Sequence, residues 1–179
     1  FQLRLGDLST PVAYADLAAG LGVDVGARVP LADAREAVLA QRRRRGMVLD
    51  SADHDTWSAG SFFTNPVLPA DDYDRLVARV AARLGADVVP PAFPAPDAAD
   101  PGTRVKTSAA WLIERAGFSR GFGLPGPAAL STKHTLALTN RGDATSADLL
   151  ALAQQVRDGV EQAFGVRLQN EPALVGCSL

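Results

Sequence analysis

Residues 145–165, TSADLLALAQQVRDGVEQAFG, read as a helix with a defined start and one apolar face. Thr145 stands as the N-cap with Asp148 three residues later, the spacing at which cap and first turn satisfy each other's free donors. Leu149, Leu152, Val156 and Val160 recur along one stripe, so this face has to be buried against other elements. A second helix is predicted after Pro69, with Tyr73, Leu76, Val77, Val80 and Leu84 on one face and Gly85 as its stop.

Earlier in the chain, Ser9 or Thr10 is the expected cap of a short helix with Pro11 at its first position, ended by Gly20 and Gly22. PLADAREAVLAQRRRRG predicts another helix, with Leu31, Ala34, Val38 and Gln41 or Arg42 along its stripe and Gly46 closing it. TSAAWLIERAG, residues 107–117, suits a short helix carrying Trp111, Leu112 and Ile113, residues 135–140 a strand, and VRLQNEPALVG two short strands joined by a turn. Residues 86–102 are rich in proline and read as an extended surface loop. This order of elements predicts a compact α+β domain whose short strands are largely antiparallel. At the start, FQLRLG alternates with period two. It is expected to be a strand left from a preceding domain (residues 1–6), with the domain proper running over 7–179.

Composition narrows the function classes. The 179 residues are 47% hydrophobic and 21% charged, an ordinary globular balance, and the formal net charge is −2. That balance argues against a general nucleic-acid partner, which needs a basic excess. No apolar run is long enough to predict a membrane span. A single cysteine, Cys177, suits a reducing cytoplasm, and two scattered histidines with one cysteine give no metal-ligand cluster.

The stretch WSAGSFFTNP, residues 57–66, poses a chemical question. Ser61 stands between Gly60 and two phenylalanines, Phe62 and Phe63. Either it is an ordinary turn serine, or it is held at a pocket wall because its proton is used. It lacks the second glycine of a nucleophile elbow. GFGLPG at 121–126 spells a dinucleotide fingerprint but runs on into proline instead of a helix, and is rejected as one. Read from residues alone, the chain is an α+β domain without an assigned chemistry.

Three blocks in order go further: GSFFTNP at 60–66, VKTSAAWLIERAG at 105–117, and STKHTLALTNRGDATSADLLALAQQVRDGVEQAFGVRLQNE at 131–171. Together they resemble the carboxy-terminal part of the UDP-N-acetylenolpyruvoylglucosamine reductases, over nearly the whole chain from TPVAYADLA to Glu171. The resemblance implies a flavoenzyme of cell-wall precursor synthesis, in which NADPH reduces FAD and the reduced flavin delivers hydride to the enolpyruvyl double bond of a UDP-sugar. It implies that Ser61 donates the proton to the carbon left carrying negative charge, with Glu171 as the second acid. The family's usual Glu-Pro-Glu-Val there is replaced by Gln169, Asn170, Glu171 and Pro172.

The resemblance also implies diphosphate contacts from Asn65 and from Arg45, which stands where the family places a lysine, and a place in the sugar-nucleotide site for His134. Arg42, Arg43 and Arg44 read as a solvated helix end, and Lys106 as part of a packing block. Most FAD contacts, and an arginine supporting the serine and glutamate, lie upstream in the family. This chain is then the substrate-binding part of the enzyme and inactive alone. A non-catalytic module that binds a nucleotide-sugar or a protein partner is the other reading.

Overall fold

The computed structural model describes residues 5–95 and 103–179. The chain divides into two compact units, Phe1–Leu49 and Asp50–Leu179, where the sequence reading runs one domain from residue 7 onward. The strand read over residues 1–6 falls, for residues 1–4, outside those described, as do residues 96–102 of the proline-rich loop.

The first unit holds α1 (Ala15–Leu21) and α2 (Leu31–Arg44). Helix α1 begins after the predicted cap: Tyr14 is its N-cap and makes no side-chain capping bond. Ser9 is committed elsewhere. Its N–H donates to the Val29 carbonyl at 2.8 Å and its hydroxyl accepts the Val29 N–H at 3.2 Å, while Leu8 bridges Pro30 in antiparallel sense. Pairing with residues 26–31 therefore keeps residues 7–12 extended. Gly22, at φ 68°, ends α1 as predicted, and Val12, Ala18 and Val29 form a small core beneath it. In α2 the stripe is turned from the predicted one: Ala34, Ala37 and Gln41 are half-buried, whereas Leu31 and Val38 are exposed. α1 packs close at this point, since a Cβ on Gly20 would lie 3.9 Å from Gln41 Nε2. Gly46, at φ 69°, closes the helix.

The second unit is α+β, with every strand pairing antiparallel. β1 (Ser58–Ser61), β6 (Ala137–Asn140) and β5 (Ala128–Leu130) form one sheet in the order β1-β6-β5. β2 (Val67–Pro69), β4 (Arg104–Lys106) and β3 (Phe93–Pro94) form the other in the order β2-β4-β3. Among its described residues three α-helices complete the unit: α3 (Ala70–Leu84), α4 (Ala109–Arg115) and α5 (Ser146–Phe164).

α3 and α5 follow their predicted bounds closely. Gly85 accepts the end of α3, and Thr145 with Asp148 makes the reciprocal capping box of α5. α5 lies over β5 and β6, with α3 and α4 against it. Leu152, Val156, Val160 and Phe164 of α5 meet Phe63, Leu76, Leu130 and Leu138 in one apolar core. The seat is tight at Gly159, where a Cβ would stand 2.3 Å from Phe118 Cζ. The pair of strands read in VRLQNEPALVG does not form. Val166 and Leu168 alternate inward as a strand would, but only Asn170 pairs, as an isolated bridge to Phe63. Pro172, which has no N–H to donate, follows two residues later.

Asp55, in a 3₁₀ turn over His54–Thr56, is a buried ionic anchor. Its carboxylate accepts the Thr132 N–H at 2.8 Å, the Thr132 hydroxyl, and Arg141 Nη2 at 2.8 Å. It thereby ties the turn before β1 to the loop after β5 and to the residue after β6. Burial pushes the Asp55 carboxyl up, but the Thr132 hydroxyl and N–H and the Arg141 guanidinium outweigh it and hold the group below its ordinary value. A carboxyl depressed in the folded state stabilises the fold above its unfolded value, near pH 4, and loses that contribution as pH falls through the folded value. The stability difference between wild type and Asp55→Asn, read by thermal unfolding, should therefore be largest near neutrality and shrink below about pH 4. Arg141→Ala leaves the carboxylate buried without its cation and should cost about 3–5 kcal/mol near neutral pH. Equal stability of Arg141→Ala and wild type would show the pair to be dispensable.

Candidate functional site

Ser61 is positioned by an irregularity in its strand. Ser58 pairs with Thr139 and Ser61 with Ala137, so β1 advances three residues while β6 advances two. The extra residue is absorbed where Gly60 takes φ +86°, a left-handed conformation that glycine adopts without the penalty of a Cβ. Beyond the bulge, the Phe62 N–H donates to the Leu136 carbonyl at 2.7 Å. Phe63 then turns into the core, 1% exposed, with the Phe62 ring edge-on to it at 5.1 Å.

The next residues meet the end of the chain. Thr64 N–H donates to the Gln169 carbonyl at 3.0 Å, and Glu171 N–H to the Phe62 carbonyl at 2.8 Å. These bonds flank the Phe63–Asn170 bridge and bring Glu171 beside Ser61 despite the sequence between them. The replaced family pattern is locally accommodated, because Asn170 Nδ2 donates to the Pro172 carbonyl at 2.9 Å and braces the turn there.

An open cleft of about 310 Å³ results, lined by Ser61, Thr64, Asn65, Lys106, Leu136 and Glu171 together with Phe63 and Val67. Its chemistry is a hydroxyl, an amide, a cation and a carboxyl set on an apolar floor. Among the described residues no hydrogen bond engages the Ser61 hydroxyl, and the residue lines the cleft. Asn65 is half committed: its Oδ1 accepts the Ala109 N–H at 2.9 Å, at the start of α4. Lys106, read from sequence as packing, instead reaches the cleft from β4, where it pairs with Val67. Its signal is visible in hindsight: it is the one charged residue at the end of a strand that leads directly into the α4 cap.

The structure therefore gathers Ser61, Asn65 and Glu171, three of the five residues singled out from sequence. His134 is not among the lining residues. It sits in the turn between β5 and β6, its N–H donating to Ser131 Oγ at 3.2 Å and its Nδ1 accepting the Leu136 N–H at 3.1 Å. The turn thus sets Leu136, two residues on, at the cleft wall. Arg45 belongs to the first unit. There it lies 3.6 Å from Asp16 and lines, with Asp16, Gln41 and Arg44, an open pocket of about 300 Å³. Arg42, Arg43 and Arg44 are exposed, as a solvated helix end requires.

GFGLPG does not form a cradle for a dinucleotide. A Cβ on Gly123 would stand 2.7 Å from the Ala128 carbonyl oxygen, and one on Gly126 would stand 2.7 Å from that of Gly123. These glycines make room for their own backbone.

Comparison with known proteins places the chain in a family. The family described as UDP-N-acetylenolpyruvoylglucosamine reductase, C-terminal domain, matches residues 51–175, nearly the whole of the second unit. Proteins named UDP-N-acetylenolpyruvoylglucosamine reductase are similar over the full chain. That of Thermobifida fusca is 61% identical over 179 residues, covering 100% of this chain and 49% of the relative. That of Streptomyces coelicolor is 61% identical over 180 residues, covering 100% and 45%, and that of Mycolicibacterium gilvum is 53% identical over 180 residues, covering 100% and 48%. The chain thus spans about half the length of these curated relatives. It belongs to the UDP-N-acetylenolpyruvoylglucosamine reductase family, and residues 51–175 are its carboxy-terminal domain.

Proposed function

We propose that this chain forms the substrate-side wall of an NADPH- and FAD-dependent reductase that converts UDP-N-acetylglucosamine enolpyruvate to UDP-N-acetylmuramate, in peptidoglycan precursor synthesis. The observation that carries the reading is the convergence of Ser61, Asn65, Lys106 and Glu171 on one cleft, inside the domain that matches the family. The same match favours the reductase over a non-catalytic binding module. The reaction uses soluble nucleotides, which suits a cytoplasmic enzyme, and no described helix is long and apolar enough to cross a membrane.

A bound flavin would supply hydride to the enolpyruvyl carbon. The tasks of this chain are binding and proton handling. Hydride addition leaves negative charge on the adjacent carbon, delocalised into the neighbouring carboxylate. Ser61 Oγ–H delivers the proton to that carbon, and the resulting alkoxide recovers its own proton from water. A serine hydroxyl is a weak acid, so its competence rests on fixed geometry and on stabilised charge next to it. Glu171, on the same wall, faces the carboxylate on which the charge develops. Asn65 and Lys106 hold the diphosphate; the contact that the resemblance implies for Arg45, a residue of the first unit, is tested by its own substitution.

In the full-length enzyme, Ser61→Ala should leave flavin reduction by NADPH nearly unchanged and slow reoxidation by the enolpyruvyl substrate about 10²–10⁴-fold, the range for a lost general acid. Stopped-flow absorbance separates the two half-reactions. Equal slowing of both would remove Ser61 from the donor role.

Lysine and arginine contacts to the diphosphate act on ground and transition states alike. Lys106→Ala and Arg45→Ala should each raise KM for the UDP-sugar while changing kcat little. A charge-assisted hydrogen bond contributes about 1.5–3 kcal/mol, so the rise should be about ten- to a hundredfold. Arg45→Lys should keep most of the affinity, and Arg42→Ala should match wild type. Steady-state kinetics decide: an unchanged KM clears the residue concerned of any diphosphate contact.

A further inference from the structure

The bulge in β1 has a stereochemical effect larger than a local kink. Successive side chains of a strand point to opposite faces, so a shift of one residue exchanges the faces of everything that follows. Across β1 and β6, Ser58 is opposite Thr139 and Ser61 is opposite Ala137. Thr139 and Ala137 are two apart on β6 and share one face. Ser58 and Ser61 therefore share that face as well, although three residues separate them and a regular strand would set them on opposite sides. Leu138, between the two, faces the other way and belongs to the main apolar core.

Were the same residues paired without the bulge, Ser61 would turn toward the side of Leu138, and Phe62 would take the face that Ser61 now holds. The backbone that permits the bulge is that of Gly60, at φ +86°. Its N–H is held by Ser58 Oγ at 3.3 Å. A Cβ built on Gly60 meets nothing within 4 Å. Packing does not explain the glycine at this position, whereas its left-handed conformation does.

We infer that Gly60 is a positioning residue for the reaction: its left-handed backbone sets the register that presents the Ser61 hydroxyl, and not the Phe62 ring, to the substrate cleft. The inference rests on the reading of Ser61 as proton donor. Because the space beside Gly60 is open, an added methyl group tests conformation without introducing a clash. Because the bulge lies ahead of Asn65 and on a different sheet from Lys106, substrate binding is a separate readout from proton delivery.

The experiment uses the full-length enzyme and compares Gly60→Ala, Gly60→Asn and Ser61→Ala by stopped-flow, with UDP-sugar affinity and melting temperature measured for each. Alanine disfavours the left-handed region, whereas asparagine enters it several-fold more readily than other non-glycine residues. Gly60→Ala is expected to slow reoxidation by the enolpyruvyl substrate about 10²-fold, the size of effect that small misplacements produce. It should leave flavin reduction and UDP-sugar affinity close to wild type, and Gly60→Asn should recover most of the lost rate. Reoxidation at the wild-type rate in Gly60→Ala, with Ser61→Ala slow, overturns the inference and leaves the donor reading standing. Wild-type reoxidation in Ser61→Ala sinks the donor reading and takes this inference with it. If Gly60→Ala does not fold, Gly60→Asn decides: wild-type-like reoxidation upholds the requirement for a left-handed residue, and a loss as large as that of Ser61→Ala overturns it.

Discussion

Strand β6 has both backbone edges engaged, β5 pairing along one and β1 along the other, and its first three residues are fully buried. A buried central strand cannot shift its register without exposing apolar side chains and leaving carbonyl and N–H groups without partners. This fixed ladder is the reference against which β1 is placed. The turn before β1 is held in its own way, since Asp55 reaches across to Thr132 and Arg141 on either side of β5 and β6. The serine thus stands on a strand whose pairing partner is immobilised by the core and whose entry is fastened by a buried charge pair.

The second half of the site depends on a weaker connection. The chain end contributes only an isolated bridge and two adjoining backbone bonds to residues 62–64. What makes this short contact specific is the packing of its anchors. Phe63 on one side and Leu168 on the other are each 1% exposed in the same apolar core. Two buried side chains that each remove most of their apolar surface from water contribute more than the few backbone bonds between them. Glu171 sits one turn beyond that anchorage, exposed, where it can meet a ligand without being part of the core.

The parts of this architecture legible in the sequence are those governed by local rules. The capping box of α5 and the glycine stops of α1, α2 and α3 depend on residues a few positions apart, and the structure follows them. Ser9 looked like a helix cap because its competitor for hydrogen bonds, Val29, is twenty residues away and invisible to a local pattern. The stripe of α2 turned for the same reason: which face is inside depends on how close α1 approaches. Asp55 read as one more acid in a polar connection, since its cation comes from Arg141 at the far side of two strands. The sequence neighbours of Lys106 point to packing, whereas a strand shows alternate residues to opposite sides. The convergence of Ser61, Asn65 and Glu171 was foreseen only through resemblance; periodicity carries nothing that would join residue 63 to residue 170.

In the proposed site Asn65 answers two different demands with one side chain. Its oxygen accepts the Ala109 N–H, and among the described residues its nitrogen has no partner. The helix requires an acceptor at that position and a diphosphate requires a donor, and only a primary amide presents both ends at this reach. Aspartate would satisfy the helix but set a negative charge against phosphate; serine would be too short to serve both. On the proposed diphosphate contact, the start of α4 and the grip on the ligand are two ends of one planar group. A rotation that loosened one would loosen the other, and an anion that oriented the amide would make the helix start more rigid.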